Sequence, residues 1–459
     1  MLITNISDCL TGTLGEGERF QGAIRIEGQR IAEMGALTPR PGEDVLDARG
    51  CAVIPGLVNT HHHLNQSLLK AVPKGMNLPL DPWLMHVPYT WWPHFDEATY
   101  RTAVRVGLAE LVLTGATTVA EHHYVFAESY DYNPSDVFFE EAGKLGIRAV
   151  MARGGMTRGR AFDDPAIPPA PCETLETFLS EAEKTALKWA DTGELAMRKV
   201  ALAPTTPTFN VTPEELREIA RFGREKGLML HAHLSENENY ARFTLEKYGK
   251  RPVEWLATQD WLGRDVWFAH LVDLEPFEVD LLAQTGTGMA HCPNANARLG
   301  SGVAPADALH AKGGKVSLGV DGAAANEAAD MGALLFSAFT LHRATKGVGS
   351  VRAEQVLHWA SAGGAKVLDM PGIGTLAPGM AADLAILDLS APRNLGLHDR
   401  ALAPVITGGL AVRDLFVGGK RILADGKLPG LDLAELADEA MEATETLKSR
   451  QHNTVLEAV

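Results

Sequence analysis

The stretch Asn59-Thr60-His61-His62-His63 follows a short apolar run and sets two imidazoles, His61 and His63, at alternate positions. If that run is a strand, alternate residues at its end point the same way and can grip one metal ion. A second group stands in His231-Ala232-His233-Leu234-Ser235-Glu236, and single polar residues, His270 and Asp321, follow two further apolar runs. Imidazole and carboxylate are both groups that can ligate a metal ion. On its own a histidine cluster equally suits a surface loop, and His233, Glu236 or Asp321 taken singly would fit a structural role. Taken together they resist a packing explanation, because buried His, Glu and Asp each need a specific partner.

These residues need elements to position them, and eight short β-branched or apolar runs recur through the middle of the chain. They are residues 53–58, 117–120, 149–152, 200–203, 228–232, 266–269, 288–291 and 316–320. Their near-continuous apolar character predicts strands buried on both faces, as in a parallel sheet. Helical patterns alternate with them. Residues 96–114 open on acidic residues, carry Val104, Leu108, Leu111 and Val112 on one face, and exit at Gly115; similar grammar recurs over 212–227. The chain is therefore α/β, and eight βα units predict a (β/α)8 TIM-like barrel over residues 53–374. The candidate ligands then fall at the C-terminal ends of strands, where such barrels build their sites.

The two ends read differently. Residues 1–52 alternate through Ala23-Ile24-Arg25-Ile26-Glu27 into a Gly-Gln-Arg turn, and residues 375–459 hold two further strand patterns before a charged helical tail over 432–447. Both ends predict short antiparallel strands that meet in one small β-sandwich domain beside the barrel.

Bulk properties narrow the partners. The chain has 459 residues, 46% hydrophobic and 22% charged, which excludes disordered and fibrous classes. A net charge of −16 without a Lys/Arg-rich run argues against nucleic acid or an anionic membrane as partner, and favours a small-molecule substrate. No basic segment leads into an apolar run at the start, and no stretch reaches the roughly 20 apolar residues of a spanning helix. The expectation is a cytoplasmic protein with its four scattered cysteines reduced.

The ordered set PGLVNTHHH, HAHLSE, FAHLV, HCPNANARL and GVDGAAANE, closed by GTLAPGMAADLAILD, resembles the amidohydrolase superfamily, in its branch of heterocycle deaminases and triazine hydrolases. The resemblance covers nearly the whole chain. It implies one zinc ion per subunit on His61, His63, His233 and Asp321, with iron or manganese also accommodated. It implies that Glu236 carries a proton from water to a ring nitrogen, that His270 hydrogen-bonds the attacking oxygen, and that Asp321 moves a proton to the departing amine. A glutamine at the place of Gln66 contacts the substrate ring in guanine-deaminase-like members. Trp83, in an aromatic-rich segment expected as a loop, suits stacking on a flat heterocycle, although barrel-end packing suits it equally. His122 and Arg153 point to the same mouth by position, a salt bridge being the alternative for Arg153, and Asn296 and Arg298 belong to the seventh loop. There the sequence has Ala295 where a serine is commoner, and after the fourth strand Ala203-Pro204-Thr205-Thr206 lacks the arginine of typical guanine deaminases.

The run of loops is most similar to members acting on oxidised guanine and hydroxylated pterins. The implied activity is hydrolytic deamination of a 2-amino-4-oxo fused heterocycle, an isoxanthopterin-type pterin or 8-oxoguanine, by a homo-oligomer that needs water and no organic cofactor. Two alternatives stand beside it: a hydroxytriazine-type aminohydrolase, and a catalytically silent barrel that serves as a binding protein.

Overall fold

The computed structural model describes residues 1–159 and 167–457. Eight parallel strands close into a barrel in chain order: Leu57–Asn59, Ala116–Glu121, Arg148–Gly154, Arg198–Ala203, Met229–Leu234, Val266–His270, Gly288–His291 and Lys315–Leu318. The ring shuts where Leu318 pairs with Asn59. Strand residues divide by parity. Val119, Met151, Leu202, Leu230, Phe268 and Met289 face the surrounding helices, whereas Ala120, Ala152, Ala203, Trp267 and Ala290 pack in the separate cluster inside the ring. Small alanines inside leave room for the Trp267 indole and for the imidazoles above it.

The apolar run 53–58 is two strands rather than one. Cys51–Pro55 pairs antiparallel with Leu384–Asp388, outside the barrel, and Leu57–Asn59 alone joins the ring. The hand-over is at Gly56, whose N–H donates to the Asp383 carbonyl at 2.9 Å. A side chain there would run into Thr117, so only glycine lets the two sheets approach this closely. The barrel thus begins at Leu57, four residues later than the sequence pattern suggests.

Both chain ends build the second domain, as expected. A four-stranded sheet holds Leu2–Ile6, Gly22–Glu27, Arg30–Gly35 and Val45–Asp47; a five-stranded sheet holds Asp8–Cys9, Cys51–Pro55, Leu384–Asp388, Val412–Val417 and Lys420–Leu423. Ile3, Ile24, Ile26 and Ile31 from one sheet pack on Val53, Leu384, Ile386 and Phe416 from the other, which makes a sandwich. Arg148 and Asp383 fasten it to the barrel through a buried fork, Nε to Oδ2 at 2.7 Å and Nη2 to Oδ1 at 3.1 Å.

Helix Glu97–Leu113 is opened by a capping box between Asp96 and Thr99, and helix Pro213–Lys226 by one between Thr212 and Glu215. The tail forms a long helix, Leu433–Glu457, that buries Leu436, Ala443 and Leu447. Its Arg450 donates to Asp96 at 2.5 Å and to the His94 carbonyl at 2.7 Å, and Glu439 pairs with Arg105. Among the described residues no helix is long and apolar enough to cross a membrane.

Candidate metal centre

At the C-terminal mouth of the barrel, one ring nitrogen each of His61, His63, His122 and His233 lie within 4.8 Å of one another, as do ligand atoms of His61, His270 and Asp321. Nε2 of His63 is 3.1 Å from Nε2 of His233, and Asp321 Oδ1 is 3.4 Å from Nε2 of both His61 and His63. Nδ1–H of His63 donates to the His122 carbonyl at 2.7 Å, and Nδ1–H of His233 to the Thr205 carbonyl at 2.8 Å. A carbonyl only accepts, so these rings turn a bare Nε2 inwards. Nε2 of His61 is buried and, among the described residues, has no hydrogen-bond partner. Converging lone pairs with a single carboxylate repel unless a cation lies between them, and the donor set fits a zinc ion.

Burial pushes His61, His122 and His233 well below the usual histidine range, with neighbouring imidazoles adding to the effect. His63 is lowered by burial too, partly offset by Asp321. Neutral imidazole is the form that ligates metal.

Four non-glycine residues at these strand ends adopt left-handed backbone: Ser235 at φ 50°, His270 at 74°, Leu271 at 52° and Asp321 at 65°. Such conformations cost on the order of 1–3 kcal/mol each and persist where surrounding structure enforces them. Asp321 is enforced by its own N–H, which donates to the His61 carbonyl at 3.0 Å, and by Val320 N–H donating to Asn59 Oδ1 at 2.9 Å. The turn after His233 brings Glu236 to the cluster, with Oε2 at 3.7 Å from His270 Nε2. His270 is steadied from behind by Asn296, whose Oδ1 lies 3.0 Å from Nδ1.

A cavity opens above this cluster. Its floor is His63, His233, Glu236, His270 and Asp321. Gln66, Trp83, Tyr89, Tyr124, Thr205, Thr206, Asn210 and Tyr240 also line the cavity. The Oε1 of Gln66 is buried with no hydrogen-bond partner among the described residues.

Of the residues expected to touch substrate, the structure brings Gln66 and Trp83 to the cavity. His122 sits within the imidazole cluster instead, stacked on His233 at 4.7 Å. Asn296 backs His270. Arg153 is forked onto Glu173 at 2.5 and 2.7 Å beneath Phe126, and Arg298 donates to the Gly75 carbonyl and to Glu327, each at 3.1 Å. These three are not among the residues lining the cavity. The aromatic segment is helical rather than a loop, with turns at Leu80–Leu84, Met85–Tyr89 and Trp92–His94 that fold Trp83 and Tyr89 over the site. Asn210 and Tyr240 escape a sequence reading. The one faint signal is the Asn237 cap of helix Glu238–Tyr248, which sets Tyr240 in the first turn after the Glu236 loop.

Known proteins agree with this geometry. The model of the amidohydrolase family matches residues 52–422. The chain is 43% identical to an isoxanthopterin deaminase from an unknown prokaryotic organism, over 97% of each chain. It is 38% identical to the 8-oxoguanine deaminase of Pseudomonas aeruginosa, over 90% of this chain and 92% of the other. Among solved structures it is similar to the zinc complex of an atrazine chlorohydrolase from Arthrobacter aurescens, with a TM-score of 0.88 and 26% identity over 96% and 99% of the two chains. With the barrel, the imidazole–carboxylate cluster and these relatives in agreement, the chain belongs to the amidohydrolase family and is an enzyme acting on C–N bonds.

Proposed function

We propose that the protein is a zinc-dependent deaminase of a 2-amino-4-oxo fused heterocycle, an isoxanthopterin-type pterin or 8-oxoguanine, that releases ammonia. The observation that carries this reading is the cavity itself, a recess with aromatic sides whose floor is the metal-binding cluster together with Glu236 and His270. A flat bicyclic ring held between Trp83, Tyr89 and Tyr124 presents its edge to Gln66 and its amino-bearing carbon to the floor. The likeness to the isoxanthopterin and 8-oxoguanine deaminases supports the ring class.

His61, His63, His233 and Asp321 would hold one zinc ion, which supplies Lewis-acid activation of a water by lowering its pKa towards about 7. Glu236 takes one proton from the water and delivers it to the ring nitrogen beside the C–NH2 carbon. His270, 3.7 Å from Glu236, hydrogen-bonds the oxygen that becomes the product carbonyl. Asp321 passes the second proton to the amine, which departs as ammonia. One water is consumed, and one C–N bond is exchanged for a C=O bond. Glu236 and Asp321 are only 6% and 5% exposed, so bulk water competes little for these protons.

The test is ammonia release by the zinc-loaded protein from isoxanthopterin, pterin-6-carboxylate, 8-oxoguanine, guanine and cytosine, side by side. Turnover confined to one of the first three is expected. A likeness to a hydroxydechloroatrazine ethylaminohydrolase of a Pseudomonas species, 34% identical over 87% of this chain, keeps a triazine-type aminohydrolase as second reading. Under that reading none of the five yields ammonia, and an N-alkyl hydroxytriazine yields alkylamine.

A further inference from the structure

The three imidazoles of the candidate ligand set, His61, His63 and His233, are not oriented alike. His63 and His233 are each anchored through Nδ1 to a backbone carbonyl. His61 is anchored to a side chain, its Nδ1 lying 2.9 Å from Nε2 of His231. The Nδ1 of His231 lies 3.0 Å from the Trp267 carbonyl, and its ring stacks on the Trp267 indole at 4.4 Å and 19°. That indole in turn donates from Nε1 to the carbonyl of Thr60, the residue before His61, at 3.2 Å. One tryptophan therefore seats both the backbone leading into His61 and the ring that touches it.

The protons in this row follow from donor and acceptor rules. The Trp267 carbonyl can only accept, so His231 must carry its proton on Nδ1. A neutral His231 then has a bare Nε2, and the contact at 2.9 Å is a hydrogen bond only if His61 carries its proton on Nδ1. That leaves Nε2 of His61 bare and directed at the cluster. Neutrality of His231 follows from its place: the ring is buried between the Trp267 indole and the His61 imidazole, and among the described residues no carboxylate pairs with it to hold a charge.

We infer that His231 is a positioning residue: through a fixed sequence of hydrogen bonds from the Trp267 carbonyl, it selects the His61 tautomer that offers Nε2 to the metal. The inference rests on His61 being a ligand, and it assigns to the first histidine of the HAHLSE stretch a task distinct from that of His233. Partners of this kind, one bond removed from the ion, typically change metal affinity by about 10- to 100-fold when lost.

The test begins with metal-free protein labelled with [15N]histidine, in which two-bond 1H–15N spectra report which ring nitrogen carries the proton. His61 is identified by the signals missing from His61→Asn. A single His61 tautomer protonated on Nδ1 is expected, and protonation on Nε2 would overturn the proposal. His231→Phe keeps a flat ring over Trp267 and removes the acceptor. It is expected to unfold at the wild-type temperature when metal-free, to show mixed His61 tautomers, and to bind zinc about 10- to 100-fold more weakly in competition with a chromogenic chelator. His231→Gln, whose amide oxygen can accept, should recover most of the affinity. Equal zinc affinity in all three proteins would also overturn it. Should His231→Phe fail to fold, the wild-type spectrum and the Gln variant decide. Because the tautomer is read without metal, its result is separate from failure of the ligand set, which would appear as a wild-type chain that binds no zinc.

Discussion

The side-chain amide of Gln66 rests directly against the α-carbon of Gly322, in space that a single methyl group at residue 322 would occupy. Gly322 follows Asp321, so one turn after the eighth strand places a candidate metal ligand and seats the amide proposed to face the substrate edge. Gly322→Ala should displace Gln66 and raise KM for the heterocycle by about 10-fold, equivalent to about 1.4 kcal/mol of binding, with zinc content unchanged. Steady-state kinetics beside metal analysis would check it. An unaltered KM would remove Gln66 from substrate recognition.

Glu236 lies beside the cluster rather than among the residues whose ligand atoms converge. Glu236→Gln should therefore keep full zinc occupancy and lose turnover by about 10²- to 10⁴-fold, the range for loss of a proton carrier. Retained activity would refute its role, and lost zinc would recast it as a ligand.

Acid should destabilise the metal-free protein. His61, His62, His63, His122, His123, His231 and His233 are all buried and held below the ordinary value of 6.5, to about 3 for His62, His123 and His231. For a histidine lowered on folding, the unfolded chain binds the extra proton, so stability present above about pH 6.5 is lost as the pH falls below it. From pH 6.5 to 5 the loss is roughly 2 kcal/mol for each ring that stays neutral. Buried Glu121, raised well above the usual carboxylate range, acts in the opposite direction but as one group against seven. Thermal unfolding of the apoprotein between pH 7 and 5 should show a steep drop, and a flat profile would mean the rings are already protonated in the fold.

The fork between Arg148 and Asp383 joins barrel to sandwich with both side chains almost fully buried. Arg148→Met would leave the Asp383 carboxylate without its cation, at a cost of about 3–5 kcal/mol. Urea unfolding should register that loss while zinc stoichiometry stays at the wild-type value. An unshifted midpoint would show that this fork contributes nothing to holding the two domains together.

Much of the site was legible because its signals are local. The spacing of His61 and His63 needs only a strand end to make sense, and the Glu236 turn follows His233 directly. The eight apolar runs likewise announced the barrel. What escaped depends on contacts far apart in the chain. Arg153 looked like a mouth residue, yet Glu173, twenty residues on, folds back to form an ion pair with it. The run 53–58 gave no hint of its division, because the cause is the approach of Thr117 and Asp383 to Gly56. Aromatic residues in segment 80–94 concealed helical turns, since bulky rings carry only a weak preference against helix. The role of His231 is invisible in the local sequence because its partners, His61 and Trp267, belong to two other βα units.

Strand Cys51–Pro55 can pair with Leu384–Asp388 only after the whole barrel has been synthesised between them. At ribosomal rates of about 5–20 residues per second, the 329 residues from Pro55 to Leu384 take roughly 15–65 seconds. During that interval Ile3, Ile24, Ile26 and Ile31 lack Leu384, Ile386 and Phe416, the part of the opposing sheet that lies beyond the barrel in the chain. The nascent chain must carry a half-covered isoleucine face until residues 384–423 emerge, which makes the small domain, and not the barrel, the segment that would most need a chaperone.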